Sequence, residues 1–130
     1  MPAKVVVDAS ALAAVLFGEP EAQIVAERLD ESALITPTLF SYELANICWK
    51  KVRRHPEQRA KLLEAYSLRD RLEIEEVEVV ISEVLLLADR ENLTAYDASY
   101  LWLSQKLGLE LVTLDRDINA AIARGRAAHS

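Results

Sequence analysis

The polar–apolar pattern starts with Val5, Val6 and Val7, a β-branched run on consecutive positions, which predicts a central parallel strand covered on both faces. Asp8 ends it, and ASALAAVLF then predicts a helix from near Ser10. Gly18 and Pro20 interrupt the pattern before PEAQIVAERLD, a short helix with Ile24, Val25 and Leu29 expected to point inward. Ala33 to Ile35 predict a second strand, and Thr36-Pro37 a helix start with a capping hydroxyl and proline at the first helical position. The helix from there carries Phe40, Leu44, Ile47, Cys48 and Val52 as an apolar stripe. Pro56 opens another helix, PEQRAKLLEAYSLRDRL, and Ile74, Val77 and Val79 mark a third strand. A leucine-rich helix is expected from Ser82 to Glu91, then an amphipathic one from Leu93 that Gly108 stops. Leu109 to Leu114 form an apolar run broken only by Glu110 and Thr113, the pattern of a buried strand, and INAAIARGRAA predicts a last helix that frays into a polar tail. Strands alternating with helices predict a single α/β domain over residues 1–130, a central, mainly parallel sheet flanked by helices.

Composition narrows the setting. With 52% hydrophobic and 28% charged residues the chain can bury a proper core. Cys48 is the one cysteine, which excludes a disulfide framework. No leader or bilayer-length apolar run is visible, so a cytoplasmic protein without a membrane anchor is expected. The net charge of −6 argues against nucleic-acid binding by bulk electrostatics, unless bound cations reverse the local sign. Lys50, Lys51, Arg53, Arg54, Arg59 and Lys61 nonetheless cluster in one stretch, either a solvated face or a patch that tracks phosphates, with Lys50 and Arg54 on the side of Glu43.

Four acids stand where an α/β topology concentrates ligands. Asp8 and Asp115 fall at strand ends, Asp97 on the first turn of a helix, and Glu43 inside the apolar stripe of a helix that leaves a strand end. Each also has a plain structural role open to it. Asp8 can cap the following helix, Thr94-x-x-Asp97 reads as a capping box, Asp117 can cap the last helix, and Glu43 can snorkel to water. Asn46 follows Glu43 by one turn on the same side. Carboxylates without clustered cysteine or histidine are the ligands of hard cations, so the set fits Mg²⁺ or Mn²⁺ rather than zinc. His55 and His129 are the only histidines and glycines number three, which disfavours a Ser-His-Asp hydrolase or a glycine-rich phosphate loop. Such ions support in-line phosphoryl displacement, the chemistry of nucleases and phosphatases.

The segments VVVDASAL, YELANI, LTAYDASYLWLSQKLG and ELVTLDRDI, spread over nearly the whole chain, resemble the four blocks of the PIN-domain ribonucleases, and above all the VapC toxins of toxin–antitoxin pairs. The resemblance implies a compact PIN-like α/β fold and a Mg²⁺- or Mn²⁺-dependent endoribonuclease with Asp8, Glu43, Asp97 and Asp115 as catalytic metal ligands. It also implies Ser10 and Thr113 as water-orienting hydroxyls, an RNA substrate, a cognate antitoxin and a homodimer. Asp117 would assist a second metal or only cap a helix. Two alternatives stand beside this: a non-catalytic cation-binding interaction module, and a phosphatase with Asp8 as nucleophile, although Ser10 occupies the position where such enzymes carry a second aspartate.

Overall fold

In a computed structural model, which describes residues 3–129, four strands form one all-parallel sheet in the order β3-β2-β1-β4. The strands are β1 (Lys4–Val7), β2 (Ala33–Pro37), β3 (Ile74–Val77) and β4 (Leu111–Val112). The helices are α1 (Ala9–Leu16), α2 (Ala22–Leu29), α3 (Phe40–Arg54), α4 (Arg59–Ser67), α5 (Ile81–Glu91), α6 (Ala95–Leu107) and α7 (Arg116–His129). Val5, Val6 and Val7 are buried, as an unbroken β-branched run in a covered strand requires. The core continues into Leu12, Phe40, Leu44, Tyr100 and Ile118, all essentially inaccessible to water. Each full burial of a Leu, Ile or Phe side chain contributes about 1.5–3 kcal/mol. Cys48 packs in this core as a small filler.

The topology decides where a site can form. From β1 the chain steps outward to β2 and β3, then returns to place β4 on the opposite flank of β1. Successive connections therefore diverge at the β1/β4 junction, and in open α/β sheets the crevice beyond the strand ends at such a switch point collects ligands. Asp8 leaves β1 at that junction, and Thr113 leaves β4 beside it.

Four expectations need correction. Thr36 and Pro37 do not start a helix: they complete β2, with Pro37 paired to Val77, and the buried Thr36 hydroxyl donates to the Val7 carbonyl at 3.0 Å. That bond ties the ends of β1 and β2 together, a tertiary demand that outweighs the local capping signal. The helix begins at Phe40 instead, without a side-chain cap. Ile24 is 63% exposed, and only Val25 of α2 is fully buried. β4 is two residues long instead of six, because Thr113 turns its hydroxyl to Asp8 and Asn119 donates to the Thr113 carbonyl at 3.0 Å, so the chain leaves the sheet early. The segment after Pro56 is a 3-10 turn (Pro56–Gln58), α4 and a second 3-10 turn (Leu68–Arg71) rather than one helix.

Helix ends follow local chemistry. Thr94 caps α6 by accepting from the Asp97 N–H at 3.1 Å, half of the expected capping box. Gly108 closes the helix at φ +65°, in the left-handed region that favours glycine. The tail expected to fray ends at Ser130, outside the described residues. Among the described residues no helix is long and apolar enough to cross a membrane.

Candidate active site

At the β1/β4 switch point a cavity of about 240 Å³ is lined by Asp8, Ser10, Glu43, Asn46, Lys50, Asp97, Tyr100 and Asp115. All four acids singled out in the sequence therefore share one space, although they come from the starts of four different helices, α1, α3, α6 and α7. A larger groove of about 610 Å³ lies among α6, β4 and α7, but its one carboxylate, Glu110, is paired with Arg28 at 2.6 Å. Carboxylate density, not volume, marks the chemistry.

Asp8 is the most tightly held of the four. It is 3% exposed, and it does cap α1: Oδ1 accepts from the Ala11 N–H at 3.0 Å and from the Ser10 hydroxyl at 2.7 Å. Its Oδ2 accepts from the Thr113 hydroxyl. Thr113 accepts in turn from the Asp115 N–H at 3.0 Å, and Ser10 from the Leu114 N–H at 3.2 Å. Two hydroxyls thus fasten the end of β1 to the turn after β4. Capping and site geometry are one arrangement, since the bonds that begin α1 also aim the carboxylate.

Asp115 starts α7: its Oδ1 accepts from the Ile118 N–H at 2.9 Å and its carbonyl from the Asn119 N–H at 3.0 Å. Asp117, a possible cap or auxiliary ligand from sequence, is neither the cap nor part of the cavity wall. It is exposed on the first turn of α7, beside Arg90, Asn92 and Arg124 in a neighbouring depression. Asn46 and Lys50 do line the cavity, whereas Arg54 lies one further turn along α3, at its C-terminal end. Lys51 is engaged elsewhere, with Glu19 at 2.6 Å.

Tyr100 was not among the candidate residues read from the sequence. It is 1% exposed, and its hydroxyl donates to Glu43 Oε1 at 2.5 Å. The available signal was its position one turn after Asp97, on the same helix face.

The electrostatics record the crowding. Burial pushes the Asp8 carboxyl up, against the pull of its hydrogen bonds to Thr113, Ala11 and Ser10, and the Asp115 charge adds to the rise. Glu43 is raised by burial and by Asp97, Asp8 and Asp115, with the Tyr100 bond opposing. Asp97 is raised by burial, then by Asp115 and Asp8. Burial and the Glu43 contact push the Tyr100 phenol up.

Hard oxygen donors without thiol or imidazole suit Mg²⁺ or Mn²⁺. Among the described residues no three such groups already form a chelating cage. A small cation does not need one: Mg²⁺ keeps several waters and is typically held by one or two carboxylates. The donor set therefore fits a hydrated divalent ion.

Residues 5–123 match the PIN domain family. Over 121 residues the chain is 37% identical to Ribonuclease VapC3 of Pyrobaculum aerophilum, covering 88% of this chain and 92% of the relative. It is 32% identical over 130 residues to Exonuclease VapC9 of the same organism, covering 92% and 86%. Among solved structures, a Pyrobaculum aerophilum protein superposes with a TM-score of 0.74 at 30% identity, over 93% of this chain and 86% of that one. Mycobacterium tuberculosis VapC20, described as a toxin that cleaves the sarcin–ricin loop, superposes at 0.59 and 23% identity over 90% and 94%, a likeness of fold. With the family matched over almost its full length and two VapC proteins related above 30% identity, this chain belongs to the PIN-domain family, among its VapC-type members.

Proposed function

We propose that the chain, residues 1–130 acting as one nuclease domain, is a Mg²⁺- or Mn²⁺-dependent endoribonuclease and the toxin of a type II toxin–antitoxin pair. The observation that carries this is the convergence of Asp8, Glu43, Asp97 and Asp115 on one cavity at the sheet's switch point in a PIN-domain chain. Asp8, Glu43, Asp97 and Asp115 would hold the divalent ion, which would supply there an acidified water and an offset to the charge that builds on the phosphate oxygens. The protein's own part is to fix the acids in advance. Ser10, Thr113 and the Ala11 N–H hold Asp8, the Ile118 N–H holds Asp115, and Lys50 at the rim meets the approaching phosphodiester. Asp8 is poorly disposed as a phosphatase nucleophile, because both its oxygens are engaged and the side chain is buried. The RNA substrate, a cognate antitoxin and a homodimer in the cytoplasm complete this reading.

The test is cleavage of end-labelled single-stranded RNA. Internal fragments are expected with Mn²⁺ or Mg²⁺ and none in EDTA. Asp8→Asn, Glu43→Gln, Asp97→Asn and Asp115→Asn should each lower the rate about 10²–10³-fold, the usual cost of removing one preorganised electrostatic stabiliser. Release of single nucleotides from one end, as the name of VapC9 describes for that relative, would replace the endonuclease reading with an exonuclease one. Asp97→Asn as active as the parent would overturn the site.

A further inference from the structure

Tyr100 and Glu43 come from helices far apart in sequence, yet the Tyr100 hydroxyl, from a side chain almost wholly withdrawn from water, donates to Glu43 Oε1 across 57 positions of chain. A buried tyrosine needs a partner for its O–H, but that need does not require a site carboxylate: any main-chain carbonyl would serve. Glu43 Oε2 accepts no hydrogen bond among the described residues. Asp115 shows the same division of labour, with Oδ1 taken by the Ile118 N–H. Both carboxylates thus face the cavity with one oxygen committed to the protein. The Asp115 bond is a main-chain cap and belongs to the start of α7. The Glu43 bond is a side-chain device that serves no helix end.

A carboxylate with one oxygen committed is suited to binding a cation through the other alone. That distinction separates the common hard cations. Mg²⁺, and Mn²⁺ with it, suits a near-octahedral shell built from single oxygens and waters, whereas Ca²⁺ takes 6–8 oxygens and readily accepts both oxygens of one carboxylate. We propose that Tyr100 is a positioning residue for cation choice: by occupying Glu43 Oε1 it restricts Glu43 to single-oxygen ligation and so favours Mg²⁺ or Mn²⁺ over Ca²⁺. This rests on the cation-dependent reading above and adds to it the residue that sets which ion the acids accept.

The experiment measures equilibrium binding of Mn²⁺ and of Ca²⁺ to the full chain by calorimetry, with no RNA and no turnover, for the parent and Tyr100→Phe. The phenylalanine keeps the ring in the core and removes only the hydroxyl. Groups that orient metal ligands typically contribute 10–100-fold to affinity, so Mn²⁺ binding should weaken by about that factor in Tyr100→Phe. Ca²⁺ binding should hold or tighten, because Glu43 is released to use both oxygens. The ratio of Mn²⁺ to Ca²⁺ affinity should therefore fall at least about tenfold. A purely structural tyrosine would weaken both ions alike, and a ratio that does not fall overturns the proposal while leaving the cation site intact. A parent that binds neither ion overturns the cation site and the role of Tyr100 together. Should Tyr100→Phe fail to fold, Glu43→Asp, which withdraws the carboxylate from the phenol by one methylene, must show the same loss of preference, and an unchanged ratio there is equally fatal.

Discussion

Replacing Thr113 by valine removes the clasp between β1 and β4 with almost no change of shape. Two hydrogen bonds disappear: the hydroxyl's donation to Asp8 and its acceptance from the Asp115 N–H at 3.0 Å. A bond to a charged group contributes about 1.5–3 kcal/mol and a neutral one about 0.5–1.5 kcal/mol. The added methyl returns about 0.8 kcal/mol of apolar burial. The net loss is then about 1–4 kcal/mol, and at 130 residues, where about 1 kcal/mol corresponds to about 4 °C, the melting point should fall by about 5–15 °C. The loss should depend on pH with a definite sign. Asp8 already titrates above its ordinary range because it is buried, and the Thr113 bond pulls the other way by favouring the charged form. Without that bond Asp8 rises further, the folded variant holds its proton to higher pH, and the deficit relative to the parent widens as pH climbs through the Asp8 titration. Urea unfolding in EDTA at pH 5 and at pH 8.5 measures it. A deficit equal at both pH values, or Thr113→Ser as damaging as valine, would refute the coupling between this hydroxyl and Asp8.

Asp8, Glu43 and Asp97 all titrate above their ordinary range, so stability in EDTA should fall as pH rises from the unfolded value of about 4 through their folded values. Asp97→Asn should accordingly melt above the parent in EDTA at pH 7.5 and below it in excess Mn²⁺, whereas an equal decrease in both conditions would reduce Asp97 to a helix-start residue. Lys50→Ala with Arg54→Ala should flatten the plot of log binding constant against log salt for single-stranded RNA by about 1.4, two phosphate contacts at about 0.7 each, and an unaltered slope would return both to plain solvation. Asp115→Asn should reduce kcat/KM for RNA far more than Asp117→Asn, in keeping with their positions inside and outside the cavity wall.

Patterns that one element satisfies alone were legible in the sequence. The valine run of β1, the stop at Gly108 and the apolar stripe of α3 each settle their own geometry, and the four acids could be placed because parallel topology sends strand ends to one edge. What escaped depends on distant partners. Thr36-Pro37 carries a helix-start signal that nothing nearby contradicts, and only the Val7 carbonyl decides for the strand. β4 ends early because of Asp8 and Asn119, neither of which is in it. Asp117 was the residue expected to cap the last helix, but the helix starts at Arg116 and it is Asp115 that accepts from the Ile118 N–H. Tyr100 drew no attention in the sequence, since a linear pattern does not reveal a hydroxyl aimed at a carboxylate 57 residues earlier.

The clasp between Asp8 and Thr113 joins residues 105 positions apart, and β1 gains its β4 partner only from Leu111 onward. Contacts of such sequence separation form late and slowly, because the whole intervening loop must close before they repay its entropy. Synthesis proceeds from the N-terminus at about 5–20 residues per second, so Asp8 and Glu43 wait several seconds for the segment that completes their cavity. A chain cut short before Thr113 has neither the clasp nor Asp115. The order of emergence thus leaves the cavity unassembled through most of these residues: its four acids are complete only once Asp115 has been made.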